Sequence, residues 1–165
     1  MDSQSKFQKI YTEVQNEFKD NFAAIGKKAE SFKDKYTSVL GKLDVLFRNK
    51  CKNSIEWLEV NTDQTEQGPI LKDKSKEAEL EKNVKDLESC IKNNDVGSQE
   101  LLMDFDEQMH GMSSKFNEGY QKCMSSKSED ELKTCFRTLV GDNIKKLDLF
   151  YDNYYQKFDG MNKKI

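Results

Sequence analysis

The stretch Leu102-Met-Asp-Phe-Asp-Glu-Gln-Met-His-Gly-Met-Ser-Ser-Lys-Phe-Asn-Glu-Gly-Tyr-Gln-Lys-Cys123 decides the fold class. Its apolar side chains fall at Leu102, Phe105, Met109, Met112, Phe116, Tyr120 and Cys123. These three- and four-residue steps mark one face of a 3.6-residue helix, and no strand repeats that way. The same period spreads outward in both directions. Upstream, Leu80, Val84, Leu87 and Ile91 form a third helix, closed by a turn at 93–98. Residues 60–72 have no period and contain Gly68-Pro69, so they read as a loop. Before them a stripe over 28–59 runs from Ala29 and Phe32 through Tyr36, Val39 and Leu43 to Ile55 and Leu58, with a bend expected at Gly41. Phe7, Ile10, Tyr11, Val14, Phe18 and Ile25 make the first helix, which Gly26 is expected to stop. Downstream, 125–128 is a turn, and Ser128 with Glu131 has the S-x-x-E spacing of a capping box. Leu132, Cys135, Phe136 and Leu139 face inward there, and the stripe resumes at Ile144, Leu147, Tyr151, Tyr154, Phe158 and Met161 after an expected kink at Gly141-Asp142. The sequence therefore predicts an all-α, disulfide-stabilised bundle of five to six helices, some long, in a single domain over 1–165.

Composition agrees. Of 165 residues 35% are hydrophobic and 35% charged, and the mean hydropathy is -0.91. That supplies one apolar stripe per helix and little to line a large greasy cavity. A single proline suits long helices. No stretch approaches the roughly 20 apolar residues of a membrane span. Charge is uneven: residues 61–131 carry 17 acidic and 9 basic side chains, and both flanks are mildly basic. Only Arg48 and Arg137 are arginines. Phosphate clamping and base reading favour the planar guanidinium fork, so no nucleic-acid partner is expected.

Cys51, Cys90, Cys123 and Cys135 are even in number and lack the close C-x-x-C pairs of a zinc site. They read as two disulfides, or alternatively as four free core thiols. If the third and fourth helices form a hairpin, Cys90 lies near the start of a helix roughly 40 Å long and Cys123 at its end. Disulfide Cα atoms lie within about 7 Å, so Cys90 reaches neither Cys123 nor Cys135 just beyond it. The pairing left is Cys51–Cys90 and Cys123–Cys135. Disulfides imply an oxidising compartment, hence a secreted, extracellular protein. The opening Met1-Asp2-Ser3-Gln4-Ser5-Lys6 has no apolar signal region. It suits a mature secreted chain with an added methionine, or a cytosolic protein, and the cysteines favour the first.

Catalytic constellations are scarce. One histidine, His110, stands in Glu107-x-x-His110, whereas a di-iron bundle needs two such motifs and further carboxylates. No phosphate loop, nucleophile elbow or H-E-x-x-H occurs. The expectation is a protein that is not an enzyme, with no cofactor and no metal. Two groups are candidate binding elements. Glu100, Asp104, Asp106 and Glu107 form an acidic cluster that either meets a cationic protein or matrix partner or is an ordinary solvated face. Met109, Met112 and Phe116 with Tyr151, Tyr154 and Phe158 either line a pocket for a small hydrophobic or amine ligand or fill gaps between helices.

The run Cys123-Met-Ser-Ser-Lys-Ser-Glu129, followed by Cys135, resembles the helical four-cysteine salivary proteins of blood-feeding flies. The match is to the C-terminal domain of mosquito collagen-binding antiplatelet proteins. That resemblance implies a secreted binder that occludes a host macromolecule of haemostasis or complement. Odorant-binding proteins, also helical and disulfide-linked, are a second likeness, but their closely spaced cysteines have no counterpart here. The competing expectations are a carrier of a small hydrophobic or amine ligand and an intracellular helical scaffold with reduced thiols.

Overall fold

A computed structural model describes the backbone of residues 3–165 and the side chains from residue 5 onward. Met1 and Asp2, with which the expected mature terminus opens, lie outside the described residues. The fold is all-α: α1 Ser3–Glu17, α2 Lys19–Lys50, α3 Lys52–Asn61, α4 Glu77–Asn94, α5 Ser98–Cys123 and α6 Glu129–Lys164. One antiparallel hairpin, β1 Thr62–Thr65 and β2 Gly68–Leu71, separates α3 from α4, followed by a 3₁₀ turn at Lys74–Lys76.

Helix boundaries depart from the sequence expectation at Gly26, at Cys51 and over 60–72. Gly26 does not stop a helix; it is exposed inside α2. The break comes at Phe18, whose N–H donates to Gln15 O at 3.1 Å in a tightened turn, and whose ring packs on the core. Burial of an aromatic outweighs the roughly 1 kcal/mol helix cost of one glycine. The stripe expected over 28–59 is interrupted at Cys51, which is non-helical at φ -113°, buried and disulfide-bonded. The segment 60–72 is not a simple loop. Its strands pair Thr62 with Leu71 and Thr65 with Gly68, and Gly68 has the positive φ of +113° that a side chain would resist. Thr62 is buried and its hydroxyl donates to Leu58 O at 2.6 Å, so α3 ends directly into β1. Finally, α6 is unbroken through Gly141-Asp142; its 36 residues give a helix roughly 54 Å long. Gly141 there presents a bare backbone to the Phe18 ring.

The capping box holds in altered form. Ser128 Oγ accepts the Glu131 N–H at 3.2 Å, while the Glu131 carboxylate accepts from the Lys127 N–H at 3.1 Å rather than from Ser128. Asp95 caps α5, accepting from the N–H and hydroxyl of Ser98.

The chain groups into two compact units, one of residues up to 36 with 100–160, the other of 37–99 with 161–165. The first has a core of Ile10, Val14, Ile25, Phe136, Val140 and Ile144, joined by Cys123 and Leu132. Tyr11 stands edge-on to Tyr120 and Phe136 at 5.4 and 5.2 Å. Farther along α6, Phe32, Tyr36, Phe105, Phe150, Tyr154 and Phe158 form a second aromatic cluster with centroids 4.7–5.9 Å apart. Phe136 and Phe158 are fully buried, each contributing on the order of 2–3 kcal/mol by area. The Cys123–Cys135 disulfide closes the α5–α6 hairpin.

In the second unit Val39, Leu43, Leu58 and Met161 are buried. Cys51–Cys90 ties the start of α3 to α4. That tie matters because α4 has no fully buried residue: Leu80, Val84, Leu87 and Ile91 are only half-buried. Arg48 bridges Asp44 and Glu59, and Lys76 donates to Asn61 Oδ1 at 3.0 Å. Both disulfides join sequence-neighbouring helices, as the helix lengths require.

Candidate functional site

Within the first unit, α5 and α6 run as a hairpin, and their outward seam is not filled. Phe116 and Met112 rise from successive turns of α5. Leu139 and Phe150 meet them from α6, flooring a groove of about 410 Å³. Lys115, Asn143, Lys146 and Leu149 stand along its walls. A second depression of about 700 Å³ shares Leu139 and Asp142 with it and runs on toward the Cys123–Cys135 bridge, past Gly119, Thr134 and Thr138. The two adjoin at Leu139 and Asp142 as successive parts of one α5–α6 trough. Gly119 shapes its middle: a Cβ there would collide with the Leu139 Cδ1 methyl, so the bare α5 backbone lets Leu139 lie flat across the floor.

The rim is charged at both ends. Lys115 and Lys146 flank the first depression, and Asp130 and Glu131 the second with Lys122 across from them. Asp142 lies between. Lys115, Lys146, Asp142 and Asp130 make no ion pair or hydrogen bond among the described residues. By contrast, Glu17 and Arg137 elsewhere in this unit form a bidentate pair at 2.7 and 2.8 Å. The Arg137 hydrogen bond holds the Glu17 carboxyl below its ordinary value. Along the trough, exposed apolar side chains such as Leu149 stand beside charges without an ion-pair partner among the described residues.

The residues singled out from the sequence are divided by the structure. Met112 and Phe116 line the groove. Met109 is half-buried beside them on α5 and is not among the lining residues. Tyr154 and Phe158 are buried in the aromatic cluster. Tyr151 borders a smaller cleft of about 280 Å³ with Lys28, Ser31, Asp152 and Tyr155. The six side chains thus do not converge on one pocket.

The acidic cluster is also split. Asp104 turns inward: the Tyr154 hydroxyl donates to its carboxylate at 2.5 Å, and Lys157 Nζ lies 3.6 Å away. Lys157 also sits over the Tyr154 ring, 4.9 Å from its centre. Burial, followed by the hydrogen bond and charge of Asp104, pushes the Tyr154 hydroxyl up to about 12. Asp106, Glu107 and Glu100 remain exposed, and His110 folds back onto the Asp106 carbonyl at 2.9 Å. No group of three His, Cys, Asp or Glu among the described residues could hold a metal ion.

Sequence reading missed Leu139, Asp142, Lys146 and Leu149 as site residues. Leu149 did leave a signal: it is an apolar residue off the core stripe of α6, and it is 69% exposed. Among the described residues no helix is long and apolar enough to cross a membrane. Comparison with protein-family models, curated proteins and solved structures finds no match to this chain.

Proposed function

We propose that this is a secreted binding protein, without catalytic activity, that occludes a host macromolecule of haemostasis or complement. The observation that carries the reading is the open apolar trough between α5 and α6, on whose rim Lys115, Lys146, Asp142 and Asp130 have no ion-pair or hydrogen-bond partner among the described residues. A concave apolar site with a few polar groups at its rim is the usual form of a binding site. Two disulfides support an oxidising compartment. The likeness of the Cys123–Cys135 run to fly salivary proteins supports the class of target. Occlusion needs only affinity and a bulky body, and helices tens of ångströms long supply the second. The test is capture: the oxidised protein is immobilised and exposed to collagen, plasma and complement components, and the soluble protein is assayed for dose-dependent inhibition of platelet aggregation, clotting and complement lysis. Saturable binding with inhibition is expected. Absence of both across all three systems refutes the reading.

A second reading is a carrier of a small hydrophobic or amine ligand. The half-enclosed end of the trough favours it, since about 410 Å³ lies within the usual range for such pockets. Native mass spectrometry after incubation with biogenic amines and fatty acids tests it: a one-to-one adduct lost in Met112→Glu is the expected result, and no adduct refutes it.

A further inference from the structure

We infer that the α5–α6 trough receives an amphipathic helix of the protein partner, its acidic end beside Lys115 and Lys146 and its basic end beside Asp130 and Glu131. The inference rests on the proposed binding function and says which partner chemistry the site would take. Three observations carry it.

The first is shape. The trough follows α5 from Gln108 to Lys122 and α6 from Asp130 to Phe150, roughly 20–30 Å at the helical rise. A helix of about 14–20 residues spans that length. Its floor is built from side chains one turn apart on two antiparallel helices, the surface into which the ridges of a third helix fit. A peptide binding by strand addition would need a free strand edge, and among the described residues the only strands lie in the other unit.

The second is apolar content. Met112, Phe116, Leu139 and Leu149 give a continuous strip, and methionine and leucine adapt to the side chains of a docking helix. The third is charge. Lys115 and Lys146 outnumber Asp142 at one end, while Asp130, Glu131 and Asp142 outnumber Lys122 at the other. A rim carrying both signs in sequence suits a peptide with an opposite gradient better than an anionic membrane, which would want lysines throughout.

The test uses the full, disulfide-bonded chain and three synthetic helical peptides with the same leucine stripe. One is acidic at one end and basic at the other, one uniformly acidic, one uniformly basic. Fluorescence anisotropy is expected to show the two-signed peptide binding roughly fivefold tighter than either uniform one at low salt, with the difference shrinking as salt rises. Leu149→Asp, on an exposed side chain, is expected to weaken binding by about tenfold through burial of a charge. Lys115→Glu with Lys146→Glu makes both ends of the rim net acidic, with Lys122 the basic side chain left, and is expected to switch preference to the uniformly basic peptide. Equal affinities for the three peptides, native-like binding by Leu149→Asp, or uptake of a monomeric fatty acid in place of any peptide overturns the inference. Host-macromolecule capture that persists in Leu149→Asp refutes the trough as its site while leaving the proposed function standing. Peptide discrimination without any capture supports the trough and refutes that function.

Discussion

Breaking the Cys51–Cys90 bridge is expected to cost more stability than breaking Cys123–Cys135, although Cys123 is the more deeply buried sulfur. The bridges close segments of 39 and 12 residues. Loop-closure entropy in the unfolded chain then gives about 4 kcal/mol for the first and about 3 kcal/mol for the second. Against a total stability of order 5–15 kcal/mol, either loss is large. Alanine pairs alone would mix this effect with packing, because Cys51 is 4% and Cys123 1% exposed. The clean comparison toggles one bridge with its sulfurs in place: the Cys123→Ala/Cys135→Ala variant is unfolded in urea oxidised and then reduced. The Cys51→Ala/Cys90→Ala variant gives the reciprocal measurement. Reducing Cys51–Cys90 is also expected to raise the urea slope, since the freed chain exposes more surface. Amide exchange should quicken across α4, whose Leu80, Val84, Leu87 and Ile91 are only half-buried and which depends on the bridge for its hold on α3. A loss below about 1 kcal/mol, with α4 protection intact, would refute the argument that chain constraint rather than side-chain burial secures this helix.

Glycine substitutions separate two helix environments: Gly111→Ala, with open space around its would-be Cβ, should stabilise by about 1 kcal/mol, while Gly119→Ala should gain less or lose, because Leu139 must move. Thermal denaturation of the pair checks this. Removing the cap by Ser128→Ala should cost about 1 kcal/mol, visible in the same assay. Tyr154 has a folded-state value raised from 10.0 to about 12, so its protonated form contributes stability fully present below pH 10 and lost as pH rises toward 12. Alkaline titration followed by circular dichroism should show a stability loss in that window that Tyr154→Phe lacks. The opposite sign applies to Glu17: its folded value lies below 4.5, so its contribution is present above that pH and is lost as pH falls through the lowered value. Glu17→Gln should flatten the acid limb of the urea midpoint plotted against pH.

The acidic run around Asp104 illustrates why the site was only half legible in sequence. Four carboxylates within eight residues look equivalent on paper, yet the turn of α5 aims Asp104 at the Tyr154 hydroxyl and leaves Asp106 and Glu107 in water. The aromatic group on α6 behaves alike. Helical period identified Tyr154 and Phe158 as apolar-face residues, but whether such a face lines a void or a filled core depends on what opposes it. Phe32, Tyr36 and Phe105 oppose it from distant positions in the chain. Gly26 failed as a breaker because local propensity is worth about 1 kcal/mol, and burying Phe18 is worth more. The β1–β2 hairpin was invisible because four-residue strands such as Thr-Asp-Gln-Thr show no apolar alternation.

By itself the sequence determined the all-α class and the disulfide wiring. Helical period is a local property of the chain, and helix length bounds which sulfurs can meet. Tertiary structure decided where the surface stays open. The trough exists because Gly119 admits Leu139 to the α5 backbone, and because Met112 and Phe116 meet Leu139 and Phe150 only when α5 and α6 pack in one register. Register is set by the sum of many side-chain contacts across the pair, and no single stretch of sequence holds that sum.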